Sequence, residues 1–363
     1  MKKTRIFMLL VMVVLTAFIV TGCKNQSQPA QPVQENRITG PETGKPEGLL
    51  RVHFLDVGQG DAILVQTPVG ENLLIDAGDR DQGNTVVSYL EQAGVTRLTA
   101  VVGTHPHADH IGGLAEVIRH FPVEAVYMPR VNHTSDTFLN LLQTIEQKGL
   151  KIKTARAGVS LPLKGAEVAV LSPLFSEYSE LNDYSAVIAL THGQNRFLLM
   201  GDAGQSCEAD LLKNGDKINA QVLKIGHHGS SDASNMAFLQ AVGPLYAIIS
   251  CGSGNDYGHP HREALQALQA VGSEILRTDQ QGTIVITSNG RSLQVDKKGI
   301  PARASPTSNV GDNSSNSYIG NQKSLRFHRS TCRTLPAESN RVYFSTRDEA
   351  LAQGFKPCGN CKP

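Results

Sequence analysis

Three histidines and one aspartate lie within six residues of one another, in the stretch Thr104-His105-Pro106-His107-Ala108-Asp109-His110. Neutral imidazole nitrogens and carboxylate oxygens are ligands that divalent zinc or manganese accepts. With this spacing, His105 and His107 can face one ion, while Asp109 and His110 face a second ion beside it. A histidine-rich surface turn that binds no metal is the alternative, but ligand residues packed so closely favour a metal site. The sequence therefore predicts a centre for two divalent cations.

The segments on either side of this cluster must hold it in place. Residues 98–102 form an apolar run that is typical of a short buried strand, and residues 111–120 carry apolar side chains at helical spacing. The cluster is thus predicted to lie on a strand-to-helix turn, where side chains can converge on one point. Strand-like and helix-like segments continue to alternate along the chain, which predicts a layered α/β fold.

The pattern His-x-His-x-Asp-His at residues 105–110 resembles the signature of the metallo-β-lactamase superfamily of metal-dependent hydrolases. Further segments resemble the hydrolase domain of the competence protein ComEC, among them Gly58-Gln59-Gly60-Asp61 and Gly258-His259-Pro260. The resemblance covers residues 49–298. It implies an αββα sandwich with two divalent cations at one rim.

The resemblance also implies site residues at the ends of later strands. Asp202 ends one apolar segment, and in the superfamily an aspartate at this place bridges both ions through its two carboxylate oxygens. His227 and His228 end another segment, and one of them is expected to complete the ligand set of the second ion. His228 is favoured as that ligand, whereas His227 and Lys224 are expected to hold substrate charge.

Asn182 stands where many members of the superfamily carry a further histidine ligand. The first ion then has more open positions, which favours Mn²⁺, with Zn²⁺ as the alternative. Asn182 and Ser185 are candidates for contact with a substrate phosphate oxygen, although Asn182 as a plain turn residue is the alternative. His259 is predicted to bind substrate or to transfer a proton. Asp61 is expected either to hydrogen-bond the metal ligands from behind or to cap its own turn. Asp76 is expected to support the histidine-rich turn.

The N-terminus carries the features of an export signal. Lys2, Lys3 and Arg5 precede an apolar run at residues 6–20, which has the length of a signal-peptide core and is short for a spanning helix. The run leads into Thr21-Gly22-Cys23, which resembles the bacterial lipoprotein cleavage box, and the resemblance implies that Cys23 in the signal segment 1–23 carries a lipid. An uncleaved anchor helix is the alternative, and both predict a membrane-tethered protein outside the cytoplasm. Residues 24–48 are rich in Gln, Pro, Asn and Glu, which predicts a disordered tether.

A second linker, at residues 299–317, precedes a tail at residues 318–363 that contains His328, Cys332, Cys358 and Cys361. Two close ligand pairs joined by a longer span suit one tetrahedral structural Zn²⁺, which a segment with so little core needs. A Cys358–Cys361 disulfide with Cys332 left over is the alternative in an exported protein. The tail resembles the zinc domain of the Ada DNA-repair protein, but His328 replaces that family's first cysteine, so methyl transfer is not expected.

The tail is also basic. Its eight lysines and arginines against three acidic residues give it a net charge of +5, from Lys323, Arg326, Arg329, Arg333, Arg341, Arg347, Lys356 and Lys362 against Glu338, Asp348 and Glu349. Such an excess suits contact with a phosphate backbone, and a merely solvated basic face is the alternative. The whole chain of 363 residues has a net charge of only +1, so any charge signal is local to such segments.

These features together predict a lipid-anchored, extracytoplasmic phosphodiesterase, with DNA as the favoured substrate and a metal-activated water as nucleophile. Six cysteines in 363 residues are too few for a disulfide scaffold, and a hydrophobic share of 40% suits a globular core. Hydrolysis of another phosphoester, such as a cell-wall phosphocholine ester, is the runner-up, and β-lactam hydrolysis is weaker. A DNA-binding accessory protein with a weak hydrolase site is the alternative outside the enzymes. DNA and a membrane are the expected partners, and no protein partner is implied.

Overall fold

The computed structural model describes residues 48–215, 217–299, 318–329, 332–337, 340–344 and 347–361. Within these ranges the strands form three sheets of eight, seven and four strands. The signal segment, Cys23 and nearly all of the two predicted linkers lie outside the described residues. No helix in the described part of the chain is long and apolar enough to cross a membrane.

Eight strands form the first sheet, namely β1 (Leu50–Phe54), β2 (Ile63–Gln66), β3 (Asn72–Ile75), β4 (Ala100–Val102), β5 (Val126–Met128), β6 (Ile152–Thr154), β14 (Ile284–Ser288) and β15 (Leu293–Val295). Their order across the sheet is β15-β14-β1-β2-β3-β4-β5-β6. β1 and β2 form an antiparallel hairpin, while β3 to β6 run parallel. The short strands β4 and β5 are buried throughout because both faces of this parallel part are covered.

Seven strands form the second sheet, namely β7 (Ser160–Leu161), β8 (Glu167–Ser172), β9 (Val187–His192), β10 (Asn195–Leu199), β11 (Val222–Lys224), β12 (Tyr246–Ile249) and β13 (Glu274–Arg277). They follow one another across the sheet, antiparallel from β7 to β10 and parallel from β10 to β13. Because β10, β11 and β12 are parallel, the loops after them emerge at one edge.

Helices cover the outer faces of both sheets. Those of the first sheet are α1 (Gly83–Gln92), α2 (Ala108–Ile111), α3 (Leu114–His120) and α4 (Asp136–Gln147), and those that follow strands of the second are α5 (Gln205–Asn214), α6 (Met236–Val242), α7 (Arg262–Ala270) and α8 (Thr278–Gln281). One apolar core lies between the sheets and includes Val52 and Ile188, and two others lie between each sheet and its helices. These layers are the αββα sandwich that the sequence resemblance implied.

The helix predicted at residues 111–120 is divided in two. Gly112 and Gly113 separate α2 from α3 where the chain presses against the loop that follows β3. A Cβ on Gly112 would overlap the backbone nitrogen of Arg80, so only glycine allows this approach. Asp109 and His110 therefore lie on a short helix of their own, after the turn that carries the first two histidines.

The tail folds as a small α+β module with strands β16 (Tyr318–Asn321), β17 (Arg326–Arg329), β18 (Arg341–Phe344) and β19 (Lys356–Pro357) and helix α9 (Arg347–Ala352). The sheet order is β18-β16-β17-β19. Its apolar cluster consists of Tyr318, Phe327, Phe344, Ala350 and Phe355. A core of this size contributes little stability, so a metal that ties the segment together is physically expected.

Candidate metal centre

Two groups of ligand side chains meet at the carboxyl ends of β4, β10 and β11. One group is His105, His107 and Asp202, and the other is Asp109, His110, Asp202 and His228. Within each group the ligand atoms lie within 4.8 Å of one another. His105 Nε2 is 3.0 Å from His107 Nδ1, and His228 Nε2 is 3.3 Å from both His110 Nε2 and Asp109 Oδ2. Ligands around one zinc ion are about 3.3 Å apart, so both groups have the spacing of a metal shell.

Asp202 belongs to both groups. Its Oδ2 lies 3.7 Å from His105 Nε2, whereas its Oδ1 lies 3.1 Å from His110 Nε2 and 3.3 Å from His228 Nε2. The two carboxylate oxygens thus face different groups of imidazoles. This is the arrangement in which one carboxylate can bridge two cations.

Buried partners fix the far side of the imidazole rings in the second group. His110 Nδ1 lies 2.8 Å from the carboxylate of Asp76, which also accepts hydrogen bonds from the backbone nitrogen and the hydroxyl of Thr104. His228 Nδ1 donates to the carbonyl oxygen of Ser250 over 3.0 Å. With the Nδ1 atoms engaged in this way, the Nε2 atoms face Asp202 and are the ring nitrogens that could bind a cation. Asp76 therefore supports the cluster from behind, as the resemblance implied.

The turn Gly226–Gly229 distinguishes between the two adjacent histidines. His227 and His228 both have left-handed backbones, with φ of 47° and 51°, which costs a non-glycine residue about 1–2 kcal/mol. The turn sends His228 inward, where it is 1% exposed, and leaves the His227 side chain 26% exposed at the rim. His227 Nδ1 instead lies 3.0 Å from the carboxylate of Asp232. The geometry favours His228 as the ligand.

Lys224 and Ser185 do not reach the cavity, contrary to the substrate contacts expected for them. Lys224 is fully buried, and its Nζ pairs with Asp61 Oδ1 at 2.8 Å. Ser185 is also fully buried; its hydroxyl accepts a hydrogen bond from the backbone nitrogen of Asp202 and lies 3.4 Å from His105 Nδ1. Both residues therefore act as internal supports of the ligands, because their side chains have no access to a bound substrate.

Gly60 and Asp61 bring the first hairpin against the metal cluster. The backbone nitrogen of Asp61 donates to the carbonyl oxygen of Asp109 over 3.2 Å. Gly60 has a φ of 143°, and a Cβ there would overlap the same carbonyl oxygen. Asp61 Oδ1 also lies 3.6 Å from His228 Nδ1. Among the described residues, the Asp61 carboxylate pairs with Lys224 at 2.8 Å instead of making the expected hydrogen bond to a metal ligand, so only its backbone contacts the metal cluster directly.

The carboxylates and imidazoles of the cluster shift one another's pKa values. Although burial opposes ionisation, His110 and His228 lower the pKa of Asp202 well below its usual range. Burial likewise opposes protonation of His110, but Asp202 and Asp76 raise its pKa well above the usual value. The site thus attracts positive charge, which protons or divalent cations can supply. Carboxylates and imidazoles at these distances fit a pair of divalent cations.

A cavity of about 460 Å³ opens over the two ligand groups, and its walls include Gln59, Asp79, His107, Asp109, His227, Tyr257 and His259. His259 is largely buried, and burial together with the nearby His228 and His227 lowers its pKa to about 4. Its ring is therefore neutral at pH 7. Asn182 Nδ2 lies 3.3 Å from His227 Nε2, and the Asn182 Oδ1 is buried without a hydrogen-bond partner within the described ranges.

The sequence did not single out three of the residues around this cavity. Asp232, which holds His227, follows the paired histidines by a few residues. Tyr257 directly precedes the Gly258-His259-Pro260 run. Asp79 lines the cavity from the loop after β3. Their closeness to recognised motifs was the only signal for them in the sequence.

A second ligand cluster lies in the tail module. The ligand atoms of His328, Cys332, Cys358 and Cys361 lie within 4.8 Å of one another, and His328 Nδ1 is 3.3 Å from Cys332 Sγ. The three thiols are free, so the alternative of a Cys358–Cys361 disulfide is not formed. Three cysteines and one histidine at these distances suit a closed, structural zinc site.

Comparison with known proteins yields two family matches. Residues 55–253 match the metallo-beta-lactamase superfamily, and residues 312–363 match the metal binding domain of Ada. "ComE operon protein 3" of Bacillus subtilis is 32% identical over 250 residues, which are 64% of this chain and 32% of that protein. "Competence protein ComA" of Neisseria gonorrhoeae is 31% identical over 241 residues, 66% of this chain and 32% of that protein. "Recombination protein 2" of Haemophilus influenzae is 30% identical over 254 residues, 68% of this chain and 30% of that protein. The chain thus spans about a third of the length of these relatives.

Proposed function

Because the chain belongs to the metallo-β-lactamase superfamily and its hydrolase domain is of the ComEC type, we propose that it is a phosphodiesterase that hydrolyses DNA at a two-cation centre. The coarser activity, metal-dependent hydrolysis, follows from the family. The DNA substrate, the phosphodiester bond and the location of the protein are our proposals.

The observation that carries the proposal is the position of Asp202 between the two ligand groups. One cation would be held by His105 Nε2, His107 Nδ1 and Asp202 Oδ2. The other would be held by Asp202 Oδ1 together with Asp109, His110 and His228. When bound, such a pair of cations lowers the pKa of a water molecule and neutralises the charge that builds up on a phosphate.

The cavity walls supply hydrogen-bonding groups for a phosphodiester. The rings of His227 and His259 meet edge to face next to the ligand groups, with centroids 5.5 Å apart and planes at 70°. His259 is neutral at pH 7 because its pKa is about 4, so it can donate one hydrogen bond to a phosphate oxygen, and the low pKa favours this substrate-binding role over transfer of a proton to the leaving oxygen. Asn182 lies beside His227, and we propose its amide as a further contact for a phosphate oxygen.

The tail module supports a polymeric, negatively charged substrate. Six of its basic side chains are exposed, namely Lys323, Arg326, Arg329, Arg333, Arg347 and Lys356. Lysine and arginine contacts with phosphates raise affinity for nucleic acid without regard to sequence and weaken as salt rises. We propose that the module holds DNA near the hydrolase domain, with zinc in a structural role. Lys362 and Glu338 lie outside the described residues.

We further propose that the protein works at the outer face of a membrane, anchored through Cys23. This rests on the sequence of residues 1–23 alone. We also propose Mn²⁺ as the metal that best supports activity, because Asn182 replaces a histidine ligand and leaves the first cation with more open positions. Zn²⁺ is the alternative, and a cleavage assay with each metal compares the two.

The test is a cleavage assay with the purified protein. Single-stranded DNA, double-stranded DNA, a phosphocholine ester and a β-lactam are each supplied with Mn²⁺ or Zn²⁺, and the Asp202→Ala variant is the matched control. We expect metal-dependent cleavage of DNA that Asp202→Ala lacks. No DNA cleavage with any metal would overturn the proposal. Turnover of the phosphocholine ester alone would establish the runner-up, and DNA retention without any turnover would indicate a binding protein.

A further inference from the structure

We propose that Tyr257 is a stacking platform for a nucleobase beside the scissile phosphate, an inference that rests on the proposed nuclease function. Tyr257 is 67% exposed, although a tyrosine ring gains free energy when it is buried. The other large aromatic side chains exposed in the described part of the chain are Phe175 and Tyr343. Of the three, Tyr257 is the one that lines the metal cavity.

The loop that carries Tyr257 is held in one shape by its own hydrogen bonds. Asn255 Oδ1 accepts from the backbone nitrogens of Tyr257 and His259 over 3.2 and 3.0 Å. Asn255 Nδ2 donates to the carbonyl oxygens of Gly252 and His259 over 2.9 and 2.7 Å. His261 Nε2 lies 3.2 Å from the carbonyl oxygen of Tyr257. Because the loop is ordered beforehand, a ligand on this ring does not have to order it.

The Tyr257 ring extends a row of rings that starts at the metal ligands. Its plane is 20° from that of His259, with centroids 5.5 Å apart, so the two rings stack. His259 in turn lies 5.5 Å from the His227 ring and 6.2 Å from the His228 ring. Tyr257 therefore stands where this row reaches the mouth of the cavity, with most of its surface open to one more planar group.

A nucleobase is the planar group that a DNA strand brings next to its phosphate. Every base has an aromatic face, so stacking on a tyrosine tolerates any sequence, and an unpaired base offers that face more readily than a paired one. The alternative for Tyr257 is a hydrogen bond from its hydroxyl to a phosphate oxygen. The variant Tyr257→Phe separates the two, because phenylalanine keeps the stacking surface and lacks the hydroxyl.

The experiment uses single-stranded oligonucleotides with one cleavable phosphate and one abasic site, which is moved one nucleotide at a time past that phosphate. For the wild-type protein we expect one abasic position to lower kcat/KM by about 5- to 150-fold, the range for loss of one stacked base. In Tyr257→Ala, kcat/KM on the intact strand should fall by a similar factor, and the ratio of intact to abasic rates at that position should approach one. Tyr257→Phe should keep the wild-type ratio, as should Phe175→Ala, which removes an exposed ring outside the cavity wall.

Two results overturn the inference while leaving the nuclease function intact. In the first, the wild-type protein and Tyr257→Ala show the same dependence on the abasic position. In the second, Tyr257→Phe loses as much as Tyr257→Ala, which would assign the contact to the hydroxyl. If the wild-type protein cleaves no DNA at all, the proposed function fails and this inference fails with it.

Discussion

Replacing Lys224 by methionine is expected to destabilise the hydrolase domain by about 3–5 kcal/mol, the usual cost of breaking a buried ion pair. Lys224 Nζ lies 2.8 Å from Asp61 Oδ1, and the two side chains are 0% and 1% exposed. Methionine nearly matches the length of lysine but carries no charge. The Asp61 carboxylate would then stay buried without its counter-ion, which accounts for the loss.

A double variant tests whether the cost comes from the unpaired charge. Asp61→Asn combined with Lys224→Met removes both charges, so its loss should be smaller than the sum of the single losses by about 2–3 kcal/mol. Urea unfolding followed by circular dichroism, with a chelator present, measures the free energies of unfolding without a contribution from metal binding. The control is Lys164→Met, because Lys164 pairs with Glu71 at 3.6 Å but its side chain is 84% exposed. This control should change the free energy of unfolding by less than about 0.5 kcal/mol.

The same pair also bears on the metal centre. Asp61 Oδ1 lies 3.6 Å from His228 Nδ1, so Asp61→Asn, which removes the charge beside this ligand, should weaken binding of the second cation by about 10- to 100-fold, as loss of an outer partner of a ligand usually does. The reasoning is refuted if Lys224→Met costs less than about 1 kcal/mol, or if the losses in the double variant are additive.

Three further changes test other parts of the structure. Gly60→Ala should abolish tight binding of the second cation, because its Cβ would overlap the carbonyl oxygen of Asp109. Calorimetric metal titration measures this loss. The control is Gly70→Ala, where the Cβ meets open space and cation binding should be unchanged. Burial lowers the pKa of His53 to about 4, so between pH 7 and pH 5 the unfolded chain binds more protons at this residue, which should contribute a loss of about 2 kcal/mol of stability. In His53→Phe the loss between the two pH values, measured by urea unfolding, should be smaller than in the wild-type protein by about that amount, and an unchanged loss would contradict the assignment. Cys332→Ser should release zinc from the tail module to a colorimetric chelator without shifting the unfolding of the hydrolase domain; a variant that keeps its zinc would disprove the proposed ligand set.

The metal cluster could be predicted because four of its residues are neighbours in the sequence. His105, His107, Asp109 and His110 occupy one turn and one short helix, so their spacing alone indicates convergence. Short apolar segments that alternate with helical ones predicted a layered α/β fold, and the family resemblance implied its αββα arrangement. The partner that joins the two ligand groups, Asp202, lies far along the chain and was identified only through the family resemblance.

What the sequence left open depends on the direction of side chains. The choice between His227 and His228 follows from a left-handed turn that residue types do not reveal. Lys224 and Ser185 are polar residues near the site, which suggested substrate contact, but each points inward and is fully buried. Tyr257 shows the reverse case, since an ordinary tyrosine in a loop proves to be an exposed ring on the cavity wall.

The most direct test of the central claim is electron paramagnetic resonance of the protein loaded with Mn²⁺. If Asp202 joins two cations through its separate oxygens, the spectrum of the loaded protein should show two Mn²⁺ ions coupled to each other in the hydrolase domain. The coupling should disappear in Asp202→Ala together with turnover. A single Mn²⁺, two uncoupled ions, or a coupled pair that persists in Asp202→Ala would contradict the account.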